Sequence, residues 1–228
     1  MTLALVLVTP LSVVAARWQW SRHLERDALN QAVLTAERAE PVAWQRLLAD
    51  GYSPAEEWRR VTATGTWQPQ EQLLVRKQVV DRAVGFTVMT PFRTDDGTLL
   101  FVVRGWVQSA DEAIPPTPVG EDEVILRIRA VSGEGPMGAP DLPAGQVNRL
   151  DPTVLASGRP HAPALFELMD PVPEGLTPLP WPELTDGPHV SYTVQWILIG
   201  LTGIVVYIRV FRSEWRISRG EQQPPAGA

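Results

Sequence analysis

Three histidines, His23, His161 and His189, are the strongest potential bases or ligands in a 228-residue chain that contains no cysteine. None of the spacings that put two imidazoles on one metal, HxH, HxxxH or HExxH, is present. Neither is a GxSxG elbow, a Walker A loop or a GxGxxG turn. The lack of cysteine excludes disulfides, thiolate metal sites, cysteine nucleophiles and the two-cysteine kind of copper carrier. Paired acids occur at Glu56-Glu57 and Asp95-Asp96, in turn-like surroundings that make them solvated surface groups. Catalysis requires a convergent nucleophile, base or metal. The expectation is a protein that is not an enzyme.

His189 carries the sharpest chemical reading. It directly precedes residues 190–208, a run of 19 without a charge, and Tyr192 lies three positions on, on the same helical face. Imidazole is a common axial ligand of haem iron, and a membrane boundary suits a large apolar macrocycle. The alternative is an interfacial histidine that caps or hydrogen-bonds the start of a helix. His23 stands in a comparable place beyond the first oily segment and is a candidate for an opposite ligand. Arg104-Gly105-Trp106 closes the most apolar strand. A glycine within a strand lets another backbone approach or makes a bulge, and the arginine is expected to pair with a buried acid or to stack on a tryptophan.

Two oily segments and a polar middle must place these residues. At ~1.5 Å per residue, the run 190–208 reaches ~28 Å, close to the ~30 Å of a hydrocarbon core. Tyr192, Trp196 and Tyr207 lie toward its ends, where amphipathic rings favour the interface, and Arg209, Arg212, Arg216 and Arg219 follow. The positive-inside bias puts that end in the cytoplasm. Residues 2–16 are uncharged too, with Pro10 inside the run. They read either as a cleaved signal peptide ending at Val14-Ala15-Ala16 or as a retained first helix running on through Trp18 and Trp20; no basic region precedes them, which favours the retained helix. With both termini cytoplasmic, the expected organisation is a first transmembrane helix at 1–20, an extracytoplasmic β-rich domain at 21–188, a second transmembrane helix at 189–211 and a cytoplasmic tail at 212–228. Residues 17–189 hold 16 basic and 24 acidic side chains, a balance of −8. Such a domain has no electrostatic footprint for nucleic acid.

Within the middle region, residues 17–38 read as a helix that Pro41 breaks, and 42–49 as a short second helix ended by Asp50-Gly51. From Val61 to Trp67 the period becomes two, with threonine on every even position, which is a half-buried strand. Residues 71–76, 85–92 and 98–107 read as further strands, with Asp95-Asp96-Gly97 as a hairpin turn, and 124–132 as a fifth. Residues 114–188 hold 15 of the 22 prolines. They are expected to supply long ordered loops, a short helix at 151–156 and only short edge strands, one near 164–169. The expected fold class is an α+β membrane protein, a two-transmembrane-helix hairpin with an extracytoplasmic antiparallel β-sheet or partly closed barrel.

Several stretches resemble a known family in order along the chain. Arg17-Trp18-Gln19-Trp20-Ser21-Arg22 is similar to its exit from the first helix, with Trp18, Gln19 and Arg22 in the matching places. Trp58-Arg59-Arg60-Val61 with Gly65 resembles its first external strand. Gly85-Phe86-Thr87-Val88 with Thr90-Pro91, and Arg104-Gly105-Trp106-Val107, resemble two further motifs. His189, Tyr192, Gln195 and Trp196 look like its H-x-x-Y-x-x-Q-W start of the last helix, with Thr193 where alanine is usual. These identify the chain as resembling the surfeit locus protein one family of cytochrome c oxidase biogenesis factors, in a bacterial, actinobacterial version. The resemblance implies a cell-membrane protein whose partners are subunits of an aa3-type cytochrome c oxidase, in actinobacteria extending to the bcc-aa3 supercomplex. It also implies transient haem a binding, with His189 as ligand and Tyr192 beside it. The competing expectation is a stable structural subunit of the respiratory supercomplex that handles no cofactor.

Overall fold

The computed structural model describes residues 2–49, 51–131, 136–139 and 141–220. The expected helix stop at Asp50, the Ser132 end of the fifth strand and residues 221–228 of the tail lie outside them. In chain order the elements are α1 (Thr2–Arg38), β1 (Val42–Ala43), α2 (Gln45–Leu48), β2 (Arg60–Trp67), β3 (Leu73–Val80), β4 (Ala83–Thr94), β5 (Leu99–Val107), β6 (Glu121–Arg129), β7 (Gln146–Val147), α3 (Pro152–Ala156), β8 (His161–Asp170) and α4 (His189–Gly220). They divide into two compact units, Met1–Gln31 with Glu183–Ala228, and Ala32–Pro182.

In the larger unit, β2, β6, β8, β5 and β4 pair in that order, and β4 pairs back onto β2. The five strands therefore close into a small barrel. Closure needs Gly65, which lies opposite Thr94: a Cβ at this position would lie 2.1 Å from the Arg93 carbonyl oxygen. Along β2 the alternation is as the sequence predicts, with Val61, Ala63 and Trp67 buried inside. β5 is buried along its whole length. Leu100 and Val102 face the barrel core, whereas Leu99, Phe101 and Val103 pack under Val147, Leu150 and Ala156 from β7, α3 and their connection. A strand covered on both faces reads as a continuous apolar run.

Two expectations are corrected here. The sheet is mixed rather than antiparallel, because β8 runs parallel to β5 while antiparallel to β6. The proline-rich region also supplies more than short edge strands: β8 is a ten-residue strand in the barrel wall, between β6 and β5. Its Pro163 falls where the register against β5 shifts, between the pairs Leu99–His161 and Phe101–Leu165. A bulge needs no ladder N–H from that residue, so the wall tolerates the proline. The strand expected at 71–76 begins at Leu73, after a short 3-10 turn at Pro69–Glu71. Residues 42–49 split into β1 and α2 rather than one helix. α3 forms where expected, capped by Asp151, whose carboxylate accepts from the N–H groups of Thr153 and Val154. Pro10 lies inside α1 without ending it.

Arg127 on β6 has no exposed surface. It donates from Nε to Glu167 Oε2 at 2.7 Å and also from Nη2 to that oxygen. Nη2 reaches the carbonyls of Leu179 and Pro180 as well, both at 3.3 Å. Its guanidinium lies 4.5 Å from the Trp181 ring centroid and 5.4 Å from that of Trp58. Arg129 covers Trp58 at 3.6 Å and pairs with Glu57 and Glu167. The Tyr52 hydroxyl donates to Glu57; burial, with that carboxylate beside it, pushes the phenol pKa well up. Burial pulls the Arg127 pKa down and the Glu167 charge opposes it. Val33 and Ala36, from the end of α1, pack with Trp58 and Trp181.

In the smaller unit, α1 and α4 meet through small residues. A Cβ on Gly200 would lie 3.2 Å from Ser12 Cβ, and one on Gly203 would lie 3.5 Å from Thr9 Oγ1. Such residues let helix backbones approach closely where lipid, not water, surrounds the pair. Leu7, Leu11, Val14 and Trp18, at helical spacing, each expose more than half their surface. Among the described residues one segment, His189–Arg216, is long and apolar enough to cross a membrane, with a mean hydropathy of 1.9.

Replacing Glu167 by Gln leaves the Arg127 charge buried without compensation and should cost about 3–5 kcal/mol, read as a fall in Tm by circular dichroism. The Arg127→Met, Glu167→Leu double variant should regain most of that loss. A second expectation concerns acid. The Asp96 carboxylate accepts from the Thr94 hydroxyl at 2.6 Å and from the Thr98 N–H at 3.0 Å, and these bonds, the hydroxyl's first, hold its pKa below the ordinary 3.8. A depressed pKa stabilises the fold above the unfolded value and ceases to do so as pH falls through the folded one. Asp96→Asn should therefore lower Tm at neutral pH and flatten its decline below about pH 4.

Candidate functional site

The first group of motif residues forms a fastening on the barrel. Val88 pairs with Gly105 but Met89 pairs with Val103, so Arg104 is the extra residue of a β-bulge, a feature that re-aims a side chain. Arg104 is 2% exposed. It donates to Gln72 Oε1 at 3.3 Å and to the carbonyls of Pro115 and Pro116 at 3.0 and 3.2 Å, and its guanidinium lies 5.7 Å from the Trp67 ring centroid. Of the two expected partners, it takes the tryptophan and not an acid. Burial lowers its pKa. Gly105 meets another backbone: a Cβ there would lie 2.9 Å from the Thr177 carbonyl oxygen. Trp106 and Thr177 exchange both backbone hydrogen bonds. The Trp106 indole covers Gly85, where a Cβ would fall 2.5 Å from the ring, and its Nε1 donates to the Gln78 carbonyl at 3.1 Å. Pro91, opposite Phe101 on β5, accepts a bond from the Gln68 N–H.

The second group lies in the helical unit. His189 is the first residue of α4, and its Nδ1 is 2.9 Å from the Gln19 Oε1 of α1. An amide oxygen only accepts, so a neutral ring bonded to it would carry its proton on Nδ1 and none on Nε2. Gly187, at φ +61°, leaves that side of the ring clear: a Cβ there would stand 3.3 Å from Nε2. The Thr193 hydroxyl donates to the His189 carbonyl at 2.9 Å and secures the first turn. Tyr192 is about half exposed, as are Trp18 and Trp20. Arg22 lies over the Trp18 ring and pairs with Glu25. Trp196 lines a cleft with Ser12, Ala16 and Gly200, and Gln195 lines another with Val194 and Leu198. His23 sits against Trp20, ring centroids 5.3 Å apart, with its buried Nδ1 lacking a hydrogen-bond partner. A groove of about 620 Å³, lined by Trp20, Leu24, Val190, Thr193, Val194 and Ile197 among others, runs along the same two helices.

No group of three or more His, Asp or Glu able to hold a metal occurs among the described residues. Two imidazoles, His161 and His189, turn Nδ1 to an acceptor oxygen, of Arg159 and Gln19 respectively, and Val190, the residue after His189, lines the apolar groove. The sequence names Gln19 and His189 as separate motif members, and nothing local joins positions 170 residues apart. The Arg127 cluster carries no sequence signal, since an arginine in a strand reads as surface.

A small closed barrel and a helix long and apolar enough to cross a membrane define the class: a barrel protein with a membrane-capable helix. The chain belongs to the SURF1 family, which matches residues 6–201 and is known for cytochrome oxidase assembly. It is similar to uncharacterized SURF1-like proteins of Mycobacterium bovis and Mycobacterium tuberculosis, 33% identical over 82% of this chain and 73% of each relative. A SURF1-like protein of Monosiga brevicollis is 25% identical over 97% of this chain and 92% of its own length.

Arg104→Leu removes the buried donor to the Gln72, Pro115 and Pro116 oxygens, and should lower stability by about 1.5–3 kcal/mol. Thermal unfolding should show it, with cleavage near Pro115 and Pro116 in limited proteolysis preceding cleavage elsewhere.

Proposed function

We propose that this protein is a non-enzymatic assembly or accessory factor of an aa3-type cytochrome c oxidase in the cell membrane, assisting haem a insertion or stabilising a bcc-aa3 supercomplex. The observation that carries the reading is His189 at the start of α4, its Nδ1 2.9 Å from Gln19 Oε1 and its Nε2 without a hydrogen bond among the described residues. Haem iron accepts one such nitrogen as an axial ligand. The residues fit the group: His189 would supply the nitrogen, and Trp20, Leu24, Val190 and Ile197 an apolar flank beside Tyr192. Trp18, Arg22, Gln195 and Trp196 belong to the same helical unit. Gly85, Pro91, Arg104, Gly105 and Trp106 act on the barrel, as structural fasteners.

The topology belongs to the proposal. Both helices cross the bilayer, residues 21–188 lie outside, and both termini are cytoplasmic. The oily stripe of Leu7, Leu11, Val14 and Trp18 on α1, the small-residue packing against α4 and the arginines after residue 208 support this arrangement. A second reading, a permanent structural subunit that handles no cofactor, is favoured by the β3–β4 hairpin. There Val79 and Val84 form a cross-strand pair with each side chain 64% exposed, an apolar tip suited to another protein.

Deleting the gene should lower the haem a absorbance and oxidase activity of isolated membranes; an unchanged spectrum and activity would reject the assembly role. Co-purification at fixed stoichiometry with mature, active oxidase would favour the permanent subunit. The cysteine-free background permits single-cysteine labelling, which should find Asp95→Cys reactive from outside and Arg216→Cys only after permeabilisation.

A further inference from the structure

We infer that Gln19 is a positioning residue that locks His189 in its Nδ1–H tautomer, so that Nε2 is set as a nitrogen donor for a planar metalloporphyrin before that ligand arrives. The inference deepens the proposed role of His189 and rests on it for the identity of the ligand. The geometric basis is the 2.9 Å contact between Nδ1 and the Gln19 amide oxygen. A histidine that merely caps a helix spends a ring nitrogen on the backbone of its own first turn. In this structure the Ser191 hydroxyl bonds the Pro188 carbonyl, the Thr193 hydroxyl bonds the His189 carbonyl, and the imidazole bonds a side chain on another helix instead. Nε2 makes no hydrogen bond among the described residues.

Three features converge on that nitrogen. Gln19 is half-buried and borne on α1, where its helix fixes the direction of the amide. Its oxygen can only accept, which decides the tautomer. Gly187 leaves open the edge of the ring that any larger residue would crowd, since its Cβ would stand 3.1 Å from Cδ2 and 3.3 Å from Nε2. Metal-bound histidines commonly give their other ring N–H to an oxygen acceptor, which fixes the ring and raises the basicity of the ligating nitrogen; losing such a partner costs about 10–100-fold in affinity. A carboxylate keeps the acceptor and a leucine does not, so the two substitutions separate positioning from packing.

The test uses the full chain in lipid nanodiscs, labelled with ¹⁵N-histidine and free of haem, at a pH above imidazole ionisation. His189 is assigned by loss of its signal in His189→Ala. The unsubstituted protein and Gln19→Glu should show protonated Nδ1 and bare Nε2, whereas Gln19→Leu should shift His189 toward the Nε2–H form. In titrations with iron protoporphyrin IX followed by Soret absorbance, Gln19→Leu should bind about 10–100-fold more weakly, and Gln19→Glu should hold its affinity. A His189 found as Nε2–H in the unsubstituted protein overturns the inference without any variant, and so does a Gln19→Leu protein with unchanged tautomer and affinity. Equal porphyrin binding by the parent and His189→Ala would remove the ligand assignment of the proposed function, while the tautomer measurement would still decide the role of Gln19.

Discussion

Arg127 points from β6 into a place that water does not reach, and a lone charge there would cost several kcal/mol. Glu167 meets it from the neighbouring strand β8, and the carbonyls of Leu179 and Pro180 take up a further N–H. The flat faces of Trp58 and Trp181 close over the cation. The pair thus ties together two barrel strands, the segment before β2 and the last turn of the proline-rich region. Since Val33 and Ala36 join the same tryptophans, the end of α1 depends on that charge as well. The interaction is a poor source of net stability for its cost; Nε and Nη2 find acceptors where β6, β8 and residues 179–180 meet, while Nη1 is buried without a hydrogen-bond partner among the described residues.

The same logic recurs at Arg104 with different means. Among the described residues no acid meets it; neutral oxygens and the Trp67 face do the work, and the segment through Pro115 and Pro116 is held by its carbonyls. Two buried cations therefore secure two stretches of chain that hold little regular structure. Prolines have no N–H to give, and at Pro115, Pro116 and Pro180 arginines of the barrel donate to the carbonyls instead.

Much of the barrel is legible in the sequence because its signals are local. The threonine alternation of β2, the mostly apolar β5, the Asp95-Asp96-Gly97 turn and the Asp151 cap each declare themselves within a few residues. What hides is non-local. Gly65 matters only because the Arg93 backbone comes to rest against it. β8 is masked by Pro163, which a ladder would forbid and a bulge allows. The glutamine that orients His189 reads as a motif letter until the fold of its unit brings it to the ring. The Arg-Gly-Trp motif is visible as a pattern, and its glycine was readable as a point of close approach, yet neither Thr177 nor the two proline carbonyls could be named.

The place of β8 between β6 and β5 has a consequence for how the chain is made. A ribosome delivers β2 through β6 well before β8, so the wall stands with a gap whose two lips are the apolar β5 and β6. β5 and β6 run antiparallel to one another and share β8 as their partner. Until residue 170 has emerged each lacks it, and such unpaired edges are where chains adhere to strangers. The slot is filled by a strand that arrives late, from far along the chain, which makes closure a slow step governed by loop entropy.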